Sequence, residues 1–353
     1  KKPSGVWIMA YTTIDDPTIY FNTKLYTGNG STNAITGVGF APDWTLLKDR
    51  NDTSGTRAYD TVRGAIKRIR TDLTDVEIDD SDGLTAFGSD GFTLGADGAT
   101  NANTTLYVSW NWKAGTTGSG TTTGSGTGKA YSYSVNTTAG FSITNYVGNG
   151  TAGHTIPHSL GAIPYLVIVK NREDSQSWLV GHNSLGWTKN LHLNETGAVE
   201  TVTAIWNDTA PTSSVFTVAT NTKCNTNNEN YIAYCFAEKQ GYSKFGKYKG
   251  NGNADGAFIQ TGFLPAWIAV KPIDATQNWQ IHDTKRLGYN ITNKNLSFNN
   301  TAAEAENDFM DIVSNGFKIR RADVLNVSGD DYIYWAFAES PFVNSSGIPN
   351  NAK

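Results

Sequence analysis

The pattern Tyr-x-Gly-Asn-Gly occurs three times, as YTGNG at Tyr26–Gly30, YVGNG at Tyr146–Gly150 and YKGNG at Tyr248–Gly252. A motif that returns with further features in register marks a repeated structural unit. Those features are present. Each turn is followed by a proline in nearly the same place, in GFAPDW (Pro42), GAIPYL (Pro164) and GFLPAW (Pro265). Each proline leads into an apolar run that ends on a lysine, WTLLK at Lys48, YLVIVK at Lys170 and WIAVK at Lys271. Short apolar runs bounded by turn signals read as buried strands.

The alignment continues to the end of each unit. KNLHLN (Lys189–Asn194) matches KNLSFN (Lys294–Asn299), with alternate leucine or phenylalanine on one face. VRGAIKRIRTDL (Val62–Leu73) has helical spacing when taken alone, but it occupies the same place in the first unit and is therefore read mainly as strand. Tight-turn pairs stand in SDGF (Ser89–Phe92) and SNGF (Ser314–Phe317), where the middle unit has SSVF (Ser213–Phe216). Aromatic strands close the units, YVSWNW (Tyr107–Trp112), YIAYCF (Tyr231–Phe236) and YIYWAF (Tyr332–Phe337). High Gly, Thr, Asn and aromatic content also favours short strands and tight turns over helices.

The expected fold is all-β, with three tandem β-sandwich (jelly-roll-like) repeats. The boundaries are 1–113 for the first repeat, 129–240 for the second and 241–353 for the third. Between the first two, GTTGSGTTTGSGTG (Gly115–Gly128) lacks any apolar residue, and 114–128 is read as a Gly/Thr/Ser linker or long surface loop. AEKQGYSKFG (Ala237–Gly246) joins the last two more tightly. The picture is a semi-rigid rod of modules. The chain opens at Lys1 without methionine, which suggests a processed start or a position inside a longer protein.

Charge excludes one function class. Charged residues make up 17% of the chain and the formal net charge is -4, which is not the electrostatic footprint of a nucleic-acid binder. No stretch approaches the ~18 consecutive apolar residues of a helical span, so membrane insertion is not expected. Cys224 and Cys235 read as two free, partly buried thiols, too few for a disulfide framework and without zinc-site spacing.

Motif by motif, chemistry is hard to place. Each GNG runs into a strand and not a helix N-terminus, so a left-handed turn explains it better than a phosphate loop. EIDDSDG (Glu77–Gly83) lacks the alternating ligands of an EF-hand and reads as a solvated acidic turn, with a calcium site as the alternative. Glu304, Glu306 and Asp308 form a second acidic group that gives no glycosidase pair. His154, His158, His182 and His192 fall in the second unit and His282 in the third; His182 and His282 occupy nearly the same place in their repeats and no nucleophile motif accompanies either, which suits a structural role. The sequons at Asn136, Asn149 and Asn194 read as turns. Trp44, Trp178, Trp267 and Trp279 recur beside apolar strands and are expected in the core, whereas Trp187 and Trp206 lack partners in the other repeats and are expected at a surface contact. No catalytic, metal-ligating or defined binding residue is assigned and no cofactor is expected.

The stretches YTGNGSTNAITGVGFAPDWTLLKDRN, YDTVRG, SDGFTLG, IPYLVIVKNR, SNGFKIR and YIYWAFAESPF, and above all the block from Tyr231 to Pro272, resemble tandem-repeat proteins of tailed (marine) bacteriophage virions, usually described as tail-fibre-like or structural. The resemblance covers nearly the whole chain. It implies a non-enzymatic component at the virion surface and supplies no catalytic residues. The expected partners are further copies of the chain in a homo-oligomer such as a trimer, other virion proteins, and a host surface glycan or outer-membrane protein. Two alternatives stand beside host attachment: a head decoration or fibril subunit with a purely assembly role, and a depolymerase acting on capsule or lipopolysaccharide.

Overall fold

The computed structural model describes residues 10–287, 290 and 292–350. Lys1 and the question of the mature start lie outside the described residues. Among the described residues the fold is all-β: the helices are single turns, and the strands form six antiparallel sheets. Each third of the sequence contributes a main sheet, which holds its closing strand, and a second sheet, smaller than the main one in the first two thirds and equal to it at four strands in the last.

In the first third, Phe21–Thr27 pairs with Leu106–Trp112, and the sheet continues through Trp44–Asp49, Arg57–Asp60, Gly64–Arg70 and Ile78–Asp79. The second third repeats this order with Phe141–Val147, Asn230–Phe236, Leu166–Asn171, Leu179–His182, Lys189–His192 and Glu200–Thr201. The third repeats its centre with Ser243–Lys249, Asp331–Pro341, Phe263–Pro272 and Gln280–Asp283. The segment with helical spacing is a strand, as its repeat position requires. SDGF and SNGF close the hairpins Leu84–Gly88/Gly91–Leu94 and Ala305–Val313/Gly316–Ile319.

The GNG turns are built alike. In the first, the buried Asn101 side chain accepts a hydrogen bond from Asn29 N at 3.0 Å and its carbonyl accepts one from Gly30 N at 2.7 Å. Asn225 and Asn326 accept from Asn149 N and Asn251 N, each at 2.9 Å. The motif tyrosines stack on the first tyrosine of each closing strand: Tyr26 on Tyr107 at 5.1 Å, Tyr146 on Tyr231 at 5.1 Å, and Tyr248 on Tyr332 at 4.8 Å between centroids. The last glycine of each motif has positive φ, +67° at Gly30, +72° at Gly150 and +66° at Gly252, a conformation in which a Cβ would be strained. A turn that spends its N–H groups on a buried asparagine has none left to hold a phosphate.

The arrangement of the thirds departs from a rod. Each main sheet is apolar on both faces, as strands reading as continuous hydrophobic runs must be. One face packs on the second sheet of its own third; in the first third, Leu47 and Tyr59 meet Ile35, Phe92 and Leu94. The other faces of all three meet in one shared core that includes Trp44, Trp110 and Trp112, Trp178, Tyr234 and Phe236, and Trp267, Trp335 and Phe337. Equivalent residues of the closing strands touch pairwise at its centre: Trp112–Phe337 at 5.6 Å, Phe236–Phe337 at 5.7 Å and Trp112–Phe236 at 6.4 Å. The thirds therefore surround a pseudo-threefold axis within a single chain.

Three further expectations are corrected. The segment read as a linker contains the strand Thr116–Thr121, which pairs with Ala130–Val135 and forms the outer edge of the second large sheet. Tyr133 and Tyr131 lie over Gly118 and Gly120, supplying the side-chain cover that the glycines lack. Trp187 and Trp206 are 7% and 0% exposed and pack edge to face at 5.6 Å inside the second third. Trp206 lacks a counterpart because the helical turn Thr203–Trp206 stands where the other thirds have the strands Leu84–Gly88 and Ala305–Val313. Cys224 and Cys235 are both free and fully buried, where the sequence suggested partial burial.

Candidate functional site: three recesses along the seams

The seams between thirds repeat around the axis. Where each buried strand ends, the backbone accepts a bond from the preceding third: Glu77 N donates to Arg172 O at 2.9 Å, Val199 N to Ile273 O at 2.8 Å and Glu304 N to Arg50 O at 2.9 Å. Bidentate ion pairs reinforce two of these points. Arg172 grips Glu77 at 2.6 and 2.9 Å, and Arg50 grips Glu304 at 2.9 and 3.0 Å. At the other seam the same places hold Val199 and Ile273, which need no charge.

The lysines that end the buried runs cross the seams. Lys48 Nζ donates to Asn300 O at 2.8 Å, Lys170 Nζ to Thr74 O at 3.2 Å and Lys271 Nζ to Thr196 O at 3.0 Å. All three are 0% exposed, and burial lowers each ammonium pKa to about 8. A low pKa can mark a catalytic base. Here the ammonium of each lysine also bonds a carbonyl of its own third, Ser54, Asn171 or Pro272, so it is occupied on both sides.

A second ring of contacts lies deeper. Asp60 holds Arg63 at 2.5 Å and accepts from the Tyr234 hydroxyl at 2.7 Å. Asp283 holds Arg286 at 2.6 Å and accepts from Trp110 Nε1 at 3.1 Å. The middle third has His182 and Leu185 at these positions, and His182 faces Tyr334 O at 3.4 Å. Each third thus engages the closing strand of the next, and the ring closes.

Outside this frame, three recesses occupy equivalent places beside the strands Gly64–Arg70, Lys189–His192 and Thr292–Asn295. The first, about 220 Å³, is lined by Arg68, Arg70, Asp75, Val76, Ile78 and Ser175, and so straddles the seam between the first two thirds. The second is nearly closed, about 10 Å³, and lies among His192, Glu195, Gly197, Ala198 and Glu200. The third, about 180 Å³, has an amide lining that includes Asn278, Gln280, Asn295 and Asn300. The frame is the same, while the linings are basic, acidic with an imidazole, and neutral amide.

The residues singled out in the sequence fall around this frame. Of EIDDSDG, Glu77 pairs with Arg172 and Arg63, Asp79 with Lys67, and Asp80 with Arg68 at 3.0 Å; the segment is a seam element. Glu304 is held by Arg50, Arg286 and Lys294, and Glu306 by Lys294. Asn136 and Asn194 accept backbone bonds in turns, from Ala139 N and Trp178 N. His154, His158, His182 and His282 are buried, and burial lowers the pKa of each.

One constellation in the second recess deserves a chemical reading. Ser177 Oγ donates to Glu195 Oε1 at 2.5 Å, and His192 Nδ1 bonds Glu195 Oε2 at 2.9 Å. Activation of a serine needs the imidazole between hydroxyl and carboxylate. Here the carboxylate is in the middle, so the imidazole has no path to the hydroxyl proton.

Reasoning from sequence missed the asparagine clamps and the lysine crossings. A signal existed for both: Asn101, Asn225 and Asn326 precede the closing tyrosines at one fixed distance, and the lysines end every buried run.

A family model described as Domain of unknown function (DUF7483) matches residues 16–341. The chain belongs to this family. The matched span ends at the last residue of the strand Asp331–Pro341 and takes in all six sheets, so the family unit is the closed three-part body and not one of its thirds. No curated protein matches the chain.

Proposed function

We propose that this chain is a non-enzymatic structural protein of a tailed-phage virion, exposed on the particle and presenting rigid β modules for attachment to the host surface. In this reading 1–113, 129–240 and 241–353 are sandwich-like repeats, each a main sheet backed by a second one. The observation that carries the reading is the set of equivalent recesses, open in the first and last thirds at about 220 and 180 Å³ and nearly closed in the middle one, which keep one frame and differ in lining. Weak contacts of different chemistry on one rigid body sum to lasting attachment on a heterogeneous glycan surface. The seams support a structural role as well, because the buried lysines and Asp–Arg pairs are used as cement between thirds.

The reading is tested by reconstructing the native particle and by binding the purified chain to host cells. The expected result is density at the tail periphery with the recesses outward, and cell binding weakened by Arg68→Ala with Arg70→Ala. Cleavage of capsule or lipopolysaccharide by the purified chain would instead establish a depolymerase. The open strand edge at Thr116–Thr121 favours a second reading, a head decoration or fibril subunit, for which the density would cover a capsid lattice or a continuous fibre.

A further inference from the structure

The strand Thr116–Thr121 forms one edge of the eight-stranded sheet, with a single neighbour at Ala130–Val135. Five of its six residues are exposed, and Gly118 is half-buried. In an antiparallel pair, alternate residues turn their N–H and C=O groups outward, so this edge presents a row of backbone donors and acceptors. Proteins usually protect such an edge with a charge, a proline or a bulge. None of these devices is present: Gly115–Gly128 contains no charged residue and no proline, and the pairing with Ala130–Val135 runs without a register shift.

The sequence of the edge says what fits it. From Thr116 to Thr122 it reads Thr-Thr-Gly-Ser-Gly-Thr-Thr, the same in both directions. Antiparallel pairing with an identical strand about Ser119 sets Thr117 opposite Thr121, Gly118 opposite Gly120 and Ser119 opposite Ser119. Threonine pairs are favourable cross-strand neighbours. On the other face the glycines are already covered by Tyr131 and Tyr133 of the same chain, stacked at 6.2 Å, so that face needs nothing from its partner.

We infer that this edge pairs with the same edge of a second copy, antiparallel about a twofold axis at Ser119, joining two eight-stranded sheets into one continuous sheet. The interface is isologous and leaves the internal threefold untouched. A single strand pair buries less than the roughly 1,000 Å² of a stable interface, so the dimer is weak in solution and gains strength where copies are held close together. The inference does not depend on receptor binding and stands or falls separately from it.

Sedimentation equilibrium of the full chain over a concentration series tests the pairing. The expected result is a reversible monomer–dimer equilibrium that Ser119→Thr leaves in place and Ser119→Lys, which sets two ammonium groups opposite each other, shifts to monomer without changing the melting temperature. Ser119→Cys should cross-link a dimer under mild oxidation, against a buried background of Cys224 and Cys235, whereas Ser89→Cys on an exposed hairpin should not. A monomer at every concentration, a trimer, a dimer indifferent to Ser119→Lys, or equal cross-linking at positions 119 and 89 would overturn the inference.

Discussion

The Tyr234 hydroxyl donates a 2.7 Å hydrogen bond to Asp60, a residue 174 positions earlier in the chain, and both side chains are buried. This contact joins two thirds of the molecule at the site where Asp60 also holds Arg63. Tyr234→Phe removes one charge-assisted bond and leaves the ion pair, so a loss of about 1.5–3 kcal/mol is expected. Asp60→Ala removes both the Tyr234 bond and the nearest counter-ion of the buried Arg63, leaving it only Glu77 at 3.2 Å, and should cost more, about 3–5 kcal/mol. Urea unfolding of both variants checks the order; a Tyr234→Phe loss equal to or above that of Asp60→Ala would contradict this account of the seam.

Because one aromatic core is shared, the thirds should unfold together. Calorimetry is expected to give a single transition with equal calorimetric and van't Hoff enthalpies. A fragment spanning 129–240 alone exposes the face that carries Phe141, Ile143, Trp178 and Phe236 and should aggregate. Three separable transitions would restore the picture of independent modules.

Glycines within one motif should differ in cost. A Cβ on Gly28 would meet Ala102 O at 2.1 Å, and on Gly148 or Gly250 a backbone oxygen at 2.2 or 2.1 Å. At Gly30 the nearest atom is 3.5 Å away and only the φ of +67° opposes a side chain. Gly30→Ala should therefore cost on the order of 1 kcal/mol, and Gly28→Ala clearly more. Thermal melts of the two variants decide the ranking.

Acid should weaken the fold in a defined window. His158 and His182 are held down to about 4 and His282 to about 3 by burial, from an ordinary 6.5. Above pH 6.5 these imidazoles are neutral in both folded and unfolded chains, and their contribution to stability is complete. As the pH falls from 6.5 toward 4, the unfolded chain takes up protons that the fold refuses, and stability drops by at most about 1.4 kcal/mol per pH unit for each histidine. Urea midpoints at about pH 7.5 and about pH 5 should show this fall, and His182→Asn should reduce its slope. A slope unchanged in that variant would remove His182 from the account.

What the sequence determined was local and periodic. The returning GNG turns, the buried runs from Trp44, Leu166 and Trp267, the hairpins at SDGF and SNGF and the closing aromatic strands follow from spacing, turn chemistry and alternation, which act between near neighbours. Repetition also resolved Gly64–Arg70 as strand against its helical spacing. Tertiary structure decided the rest, because an apolar face announces that it will be buried but not against what. Nothing along the chain distinguishes a rod of sandwiches from three sheets closed on one core, since both need the same second apolar face on Trp112, Phe236 and Phe337. Asp60, Glu77 and Lys170 each have one partner nearby in the chain and one in another third, Tyr234, Arg172 and Thr74, and nothing in the local sequence carries the address of that second partner. The Gly/Thr segment became a sheet edge only because Tyr131 and Tyr133 lie over its glycines, a contribution from outside the segment that its own composition could not reveal.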